Sequence, residues 1–144
     1  MGKWVGAAAV CVNSQNELLM IKQGKQKETY SWSVPSGGLE RNETFKECCI
    51  RELYEETGYI GHIKKPLFVK EANFRGIDVV VHYYLVDIIG GKMTIQDPDQ
   101  LIHAIAWQSR KDIEALYLSF PEDREFLFHM LQQPAHTYNK KKAW

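Results

Sequence analysis

The sequence predicts a single α/β domain in which a mixed sheet carries a helix on each face. A stretch of about a dozen residues after Thr44 has helical periodicity and recognisable end signals. Residues 77–89 form an almost continuous apolar run, as expected for a central strand covered on both faces. At 144 residues, of which 44% are hydrophobic, the chain is long enough for one core. We therefore expect one domain over residues 1–133 and a loosely ordered tail over residues 134–144.

The composition argues against several classes of protein. The 18 basic and 18 acidic residues balance to a net charge of zero, which argues against a broad nucleic-acid-binding surface. The apolar run near the N-terminus is too short to span a membrane. The three cysteines, Cys11, Cys48 and Cys49, are odd in number and include an adjacent pair, so a disulfide framework is not expected. These features predict a cytoplasmic protein that keeps its thiols reduced.

Before the helix, the sequence alternates short extended segments with polar turns. Two strands, over residues 5–12 and 18–21, are predicted to pair as a hairpin. A polar loop follows over residues 22–28, and a third extended piece over residues 32–35. The third piece leads into Ser36-Gly37-Gly38, where the glycines permit a tight turn and a close approach of the backbone to other groups.

The predicted helix has a signal at each end. Thr44 and Glu47 have the form of a capping box, in which each side chain bonds the backbone N–H of the other residue. Gly58 fits the left-handed position that follows a helix C-terminus. Cys49 and Leu53 lie on the side of the helix that we expect to pack against the sheet.

Beyond the helix, the sequence predicts further strands and two more helices. Ser109 and Ser119 are expected to begin the two helices, the second with Pro121 in its first turn. A strand is predicted over residues 62–70, a connection over 71–76 and the central strand over 77–89. Another strand follows over residues 101–107, and the two helices over 109–117 and 119–132.

Three glutamates share one side of the first helix. Glu52, Glu55 and Glu56 are spaced i, i+3 and i+4, so their side chains point the same way. Like charges placed in this manner oppose the helix by about 0.2–0.5 kcal/mol per close pair. A hard divalent cation would relieve the repulsion, and Mg²⁺ suits one or two carboxylates combined with substrate phosphates. A solvated face is the alternative, and it would suffice if Glu55 and Glu56 stood alone.

A longer pattern favours the chemical interpretation. The sequence runs Gly37, five residues, Glu43, seven residues, Arg51-Glu52-Leu53, any residue, Glu55-Glu56, any residue, Gly58 and Tyr59. This segment resembles the signature of the Nudix hydrolases, G-x5-E-x7-R-E-U-x-E-E-x-G-U, where U is a bulky aliphatic residue. Only Tyr59 departs from the pattern, at a position that concerns packing at the helix end.

The resemblance covers essentially the whole chain and implies an α/β/α sandwich with a central mixed sheet. It also implies a phosphoanhydride hydrolase that acts on a small nucleotide with one to three Mg²⁺ or Mn²⁺ ions. The metal ligands would be the carbonyl of Gly37 and the carboxylates of Glu52, Glu55 and Glu56. Either Glu52 or Glu55 would accept the proton of the attacking water. Relatives are often homodimers, so the resemblance allows a homodimer here.

Four other residues gain a role by the same resemblance. Arg51 and Glu43 would form an ion pair that fixes the glycine-rich loop against the helix. Lys22, at the end of the second strand, would face the substrate, with a solvated loop position as the alternative. Trp32 would stack on a base, or serve as a core aromatic residue at a strand end.

One feature common in the family is missing. Many relatives carry a further acid on the strand that precedes the residue equivalent to Trp107, and here residues 101–106 contain none. Either the three glutamates supply the base, or an acid from another segment contributes. Glu71, Asp97 and Asp99 are the candidates.

The sequence narrows the substrate only in part. The motifs of the subfamilies that act on ADP-ribose, diadenosine polyphosphates, coenzyme A and NADH are absent, which leaves ordinary or oxidised nucleoside triphosphates favoured. Removal of pyrophosphate from RNA 5′ ends is an alternative that the neutral charge does not support. A nucleotide sensor without turnover is another, but a sensor would be expected to have lost some of the glutamates, and all are present.

Overall fold

The computed structural model describes residues 2–25, 29–96 and 101–131, and the predicted tail over 134–144 lies outside these ranges. The strands are β1 (Lys3–Val10), β2 (Leu18–Gln23), β3 (Ser31–Ser33), β4 (Ser36–Gly38), β5 (Tyr59–Phe74), β6 (Ile77–Gly91) and β7 (Ile102–Gln108). The helices are α1 (Phe45–Thr57), α2 (Arg110–Ala115) and α3 (Arg124–Met130), with a 3-10 helix (Pro121–Asp123) before α3. None of these described helices has the length and apolar character needed to cross a membrane.

The strands form two sheets. A mixed four-stranded sheet has the order β4-β1-β6-β5, in which β1 runs parallel to β6 and antiparallel to β4. A second, antiparallel sheet has the order β3-β2-β7. The predicted hairpin is present only at its turn end, where Val12 and Leu18 form an antiparallel bridge and the Leu19 N–H donates to the Cys11 carbonyl at 3.1 Å. Beyond that point the prediction is wrong, since β1 and β2 belong to different sheets. The cause is that both edges of β1 are occupied, one by β4 and the other by β6, so β2 pairs elsewhere.

Helices cover both faces of the mixed sheet, which confirms the predicted α/β/α sandwich. Alternation along β1 divides the core in two. Ala7 and Ala9 face α1, where they share a cluster with residues such as Leu53. Ala8 and Val10 face the opposite side, in a cluster that includes residues of α2 and α3 such as Leu127. All four β1 side chains are at most 1% exposed, so the strand is buried on both faces.

The central position of β6 is confirmed, but the connection before it is much shorter than predicted. Strand β5 continues to Phe74, so residues 71–74 belong to the strand rather than to a loop. Only Arg75 and Gly76 make the turn, with φ of 52° and 84°. Two consecutive left-handed residues form a tight turn whose twist matches that of the flanking strands. The resulting hairpin pairs Phe74 with Ile77 at its tip.

The C-terminal helices differ from the prediction at one end. Ser109 begins α2 with a capping box to Asp112, as expected. Ser119 does not cap the last helix, because its hydroxyl lies 2.7 Å from that of Ser31 on β3. The chain instead enters a 3-10 turn after Phe120, without a side-chain cap, and Pro121 occupies the first turn.

Both predicted end signals of α1 are present. The Thr44 hydroxyl accepts a hydrogen bond from the Glu47 N–H at 3.0 Å, and the Glu47 carboxylate accepts one from the Thr44 N–H at 2.9 Å. Gly58 has φ of 83° and donates its N–H to the Tyr54 carbonyl at 2.8 Å. These caps fix where the helix starts and ends, and hence which way its glutamates point.

Replacing Thr44 by alanine is expected to lower the free energy of unfolding by about 1 kcal/mol, because the Glu47 N–H would lose its acceptor. Urea denaturation of the wild type, Thr44→Ala and Thr44→Ser would measure the change. Serine retains the acceptor and should keep most of the stability. Equal losses in both variants would show that the methyl group of Thr44, rather than its hydroxyl, carries the effect.

Candidate active site

Two glutamates of α1 lie against β4. The Glu52 carboxylate sits over Gly37 so closely that a Cβ at this position would overlap it. One turn further, the Glu56 carboxylate accepts a hydrogen bond of 3.0 Å from the backbone N–H of Ser36. The absence of a side chain at Gly37 is thus what allows the helix to bring a carboxylate onto this strand.

Glu52 is much more buried than Glu55 on the same helix. Its side chain is 14% exposed, against 53% for that of Glu55. Burial raises the pKa of Glu52, while the hydrogen bond of 2.8 Å from Arg51 Nη1 opposes that rise. A carboxylate with a raised pKa in a partly dry environment is suited to accept a proton.

Glu55 is a more exposed neighbour of Glu52, and one nitrogen of Arg51 bonds both carboxylates. Its carboxylate points toward solvent and accepts a hydrogen bond of 3.2 Å from Arg51 Nη1. Within residues 2–25, 29–96 and 101–131, no group of three or more His, Cys, Asp or Glu side chains is already placed as a set of metal ligands. The carboxylates of Glu52 and Glu56 beside β4 are hard oxygen donors, the kind of ligand that suits Mg²⁺ or Mn²⁺.

An ion pair joins the glycine-rich loop to α1. Arg51 Nε lies 2.6 Å from one oxygen of Glu43, and Arg51 Nη2 lies 2.8 Å from the other. Arg51 Nη2 also donates to the Gly38 carbonyl at 2.9 Å. The hydrogen bonds from Arg51 lower the pKa of Glu43 to about 2. This pair, implied by the family resemblance, is present and holds the end of β4 against the helix.

Cys48 of α1 lies beneath the glycine-rich loop. Its buried thiol donates to the Gly37 carbonyl at 3.5 Å and accepts a contact of 3.9 Å from Arg51 Nη2. Burial raises the pKa of Cys48 to about 11, so the sulfur is a neutral thiol near pH 7. A neutral buried thiol is a poor nucleophile, which favours a packing role.

A cavity opens beside β4, and sequence reasoning missed it. Its volume is about 570 Å³, within the usual range for small-molecule sites. Its lining combines aromatic rings with a few polar groups, and includes Trp4, Ser36, Lys70, Asn73, Phe74, Tyr83, Ser119, Phe120 and Glu122. Ser36 connects the cavity to the carboxylates, because its N–H bonds Glu56. The lining comes from β1, β4, β5, β6 and the segment after α2, so no local motif announces it.

The two predicted substrate-binding residues do not line this cavity. Lys22, on β2, pairs with Trp32 on β3 and places its ammonium group 5.8 Å from the centre of the Tyr30 ring. Trp32 packs against the core cluster that contains Leu118 and Leu127. Its surroundings match the alternative of a core aromatic residue at a strand end.

Of the three candidates for an additional acid, only Glu71 lies within the described residues. Glu71 is exposed on β5, opposite Val80 of β6. Asp97 and Asp99 lie outside the described residues. Glu71 lies on the same hairpin as Lys70, and the roles of Asp97 and Asp99 as additional acids stay predictions.

Comparison with known proteins agrees with the fold and with the residue pattern. The model of the NUDIX domain matches residues 2–130. The 8-oxo-dGDP phosphatase of Mus musculus is 33% identical over 103 residues, covering 71% of this chain and 31% of that protein. The ADP-ribose pyrophosphatase of Methanocaldococcus jannaschii is 32% identical over 89 residues, covering 60% of this chain and 52% of that protein.

Solved structures show the same architecture. The MutT NUDIX hydrolase from Burkholderia pseudomallei superimposes with a TM-score of 0.75 at 22% identity, covering 92% of this chain and 100% of that one. At this identity the likeness establishes the fold alone. The chain spans about a third to a half of the length of the two curated relatives, whose activities belong to longer proteins.

Proposed function

This chain belongs to the NUDIX domain family, and we propose that it hydrolyses a phosphoanhydride bond in a nucleoside diphosphate-linked compound, with Mg²⁺ or Mn²⁺ as its cofactor. The observation that carries the proposal is the convergence of Glu52 and Glu56 on β4. One carboxylate covers Gly37 and the other bonds Ser36. On a merely solvated helix face, the carboxylates would point into water instead of lying against a strand that contains glycine.

The proposed metal ligands are the carboxylates of Glu52, Glu55 and Glu56 and the carbonyl of Gly37. A divalent cation bound there would neutralise charge on the phosphate oxygens of the substrate. Glu52 and Glu56 already lie against the strand, where they could bind such a cation. Arg51 meanwhile balances the charge of Glu52 and Glu55 through its contacts of 2.8 and 3.2 Å.

Glu52 is our preferred proton acceptor for the attacking water. Its burial raises its pKa, and the hydrogen bond from Arg51 fixes its orientation. Glu55 is the alternative, because its exposed carboxylate can reach a water without displacing protein groups. The position of either group would let a proton leave water while the phosphates lie over β4.

The cavity is proposed to hold the nucleoside. Ser36 belongs both to its lining and to the contact with Glu56, so phosphates placed at the carboxylates would leave the rest of the substrate next to the cavity. Trp4 and Phe120 supply exposed ring faces on which a base can stack. Nucleoside triphosphates, including oxidised ones, remain the favoured substrates. The relative that is an 8-oxo-dGDP phosphatase supports an oxidised nucleotide as substrate, and the relative named a putative 8-oxo-dGTP diphosphatase supports a triphosphate.

Hydrolysis of a substrate panel would test the proposal. The panel contains ordinary and oxidised nucleoside triphosphates, nucleotide sugars, ADP-ribose, dinucleoside polyphosphates and a 5′-triphosphorylated RNA, each with Mg²⁺ or Mn²⁺. We expect metal-dependent turnover of at least one compound and its loss in Glu55→Gln and Glu56→Gln. Glu114→Gln, on the exposed surface of α2, is the matched control and should retain activity.

The other outcomes separate the alternatives. Binding of a nucleotide without turnover would favour a sensor, and turnover of the RNA alone would favour the RNA 5′-end reaction. Neither binding nor turnover would leave only the fold. The cytoplasmic location and the homodimer stay predictions, to be checked by localisation of the tagged protein and by its mass in solution.

A further inference from the structure

Lys70 of β5 lies at the centre of a polar network that the mechanism above does not use. Its ammonium group donates to Asp123 Oδ1 at 2.9 Å and to Glu122 Oε2 at 3.2 Å. The other oxygen of Asp123 accepts a hydrogen bond of 2.6 Å from the Tyr83 hydroxyl of β6. The network therefore joins two strands of the mixed sheet to the 3-10 helix, more than fifty positions from Lys70 along the chain.

Aromatic rings enclose the same ammonium group. It lies 4.5 Å from the centre of the Phe120 ring and 5.5 Å from that of Tyr83, within the range of cation–π attraction. The side chains of Lys70 and Asp123 are only 13% and 9% exposed. Charges this far from water are retained only when they are paired and hydrogen-bonded. Lys70 thus has a fixed position, unlike most surface lysines.

This network forms one wall of the cavity. Lys70, Tyr83, Phe120 and Glu122 all line it, while Asp123 lies behind them. The segment that carries Phe120 and Glu122 has no side-chain cap of its own. Residues 120–123 make their described side-chain hydrogen bonds to the mixed sheet with Lys70 and Tyr83, while the preceding Ser119 is held on β3 by the Ser31 hydroxyl at 2.7 Å and the Trp32 carbonyl at 2.8 Å. Lys70 and Tyr83 therefore fix the part of the wall that carries Phe120 and Glu122.

We propose that Lys70 is a specificity-determining positioning residue, which holds Phe120 and Glu122 where they contact the base of the bound nucleotide. The inference rests on the proposed function, since it assumes that the cavity holds a nucleoside. Phe120 offers a stacking face, and Glu122 keeps a second carboxylate oxygen that no described residue bonds. No described contact links Lys70 to Glu52, Glu55 or Glu56. Lys70 therefore controls the binding and choice of base, not the cleavage of the phosphoanhydride.

The test compares Lys70→Met with Lys65→Met. Lys65 is exposed on the same strand, and its side chain forms no hydrogen bond or ion pair with the described residues, so it controls for loss of a lysine charge from β5. Values of kcat and KM are measured for purine, pyrimidine and 8-oxoguanine nucleoside triphosphates. Equilibrium dialysis with the corresponding monophosphates, without metal, measures base binding independently of turnover. Lys70→Met/Asp123→Asn removes the buried unpaired carboxylate, and keeps the test valid if the single variant unfolds.

We expect Lys70→Met to raise KM and the monophosphate Kd about tenfold for the preferred base and to change kcat by less than about twofold. The preference between bases should shrink, the double variant should behave likewise, and Lys65→Met should match the wild type. Equal kinetics in Lys70→Met and Lys65→Met would overturn the inference while the proposed function stands. So would a loss confined to kcat in a folded variant. A wild-type protein that neither binds nor hydrolyses any nucleotide would overturn both.

Discussion

Glu52→Gln is expected to reduce hydrolysis by roughly 10³-fold, the scale of a lost general base, without weakening the fold. Glutamine keeps the shape of glutamate and can still accept the hydrogen bond from Arg51 Nη1. It can neither take up a proton from water nor offer a charged ligand to a cation. The expected kinetic result is a fall in kcat with much less change in KM, because the lost interaction forms mainly in the transition state.

The stability of this variant follows from the direction of the Glu52 pKa. Burial raises that pKa above its ordinary value of 4.5. A carboxylate with a raised pKa contributes stability that is fully present below its unfolded pKa and lost as the pH rises through its folded pKa. At pH 7 the ionised Glu52 therefore gives the metal-free fold no such contribution. Thermal unfolding in EDTA at pH 7 should give Glu52→Gln a midpoint equal to or above that of the wild type.

The control for this prediction is Glu114→Gln. Glu114 lies on α2, with 56% of its side chain exposed and a weak i, i+4 contact to Arg110. Its replacement should alter neither kinetics nor midpoint. Retention of more than about a tenth of wild-type activity in Glu52→Gln would transfer the proton acceptor to Glu55, since general-base loss is normally at least 10²-fold. A midpoint well below that of the wild type would instead give Glu52 a structural role.

The sequence predicts α1 and its site well because the information is local. The caps at Thr44 and Gly58 and the spacing of the glutamates are properties of fifteen consecutive positions in one rigid element, read directly from helical geometry. The inward turn of Glu52 is less local, because it depends on β4 passing beneath the helix with Gly37 at the point of contact. The family pattern includes that glycine, but no sequence pattern predicts how close the Glu52 carboxylate comes to the strand.

The cavity could not be predicted in the same way. Trp4, Lys70, Phe120 and Glu122 come from three distant segments, and each is individually an ordinary surface or strand residue. They meet because β6 pairs with β1 on one side and β5 on the other. The error over the β1–β2 hairpin has the same origin. Nearness in sequence favours pairing of consecutive strands, but the competition for both edges of β1 involves partners about thirty and seventy residues away.

Arg51→Met is expected to lower the free energy of unfolding by about 2 kcal/mol, the scale of hydrogen bonds to a charged group. In a domain of this size that corresponds to a midpoint about 6 °C lower. The variant leaves the Glu43 carboxylate, 12% exposed, without its bidentate partner and the Gly38 carbonyl without a donor. Arg51→Lys should fall between, because an ammonium group cannot bond both oxygens of Glu43 in the same planar geometry.

The pH dependence distinguishes this explanation from a simple loss of packing. The pKa of Glu43 is lowered from 4.5 to about 2, chiefly by the hydrogen bond from Arg51. A lowered carboxylate pKa stabilises the fold above the unfolded pKa, and that contribution disappears as the pH falls toward the folded pKa. The difference between wild type and Arg51→Met in urea denaturation should therefore be full at pH 7 and smaller at about pH 3. Glu43→Gln/Arg51→Met should be no less stable than Arg51→Met at pH 7, because it removes the orphaned charge. A difference that is independent of pH would mean that Arg51 stabilises the loop through its aliphatic stem, not through its ion pair.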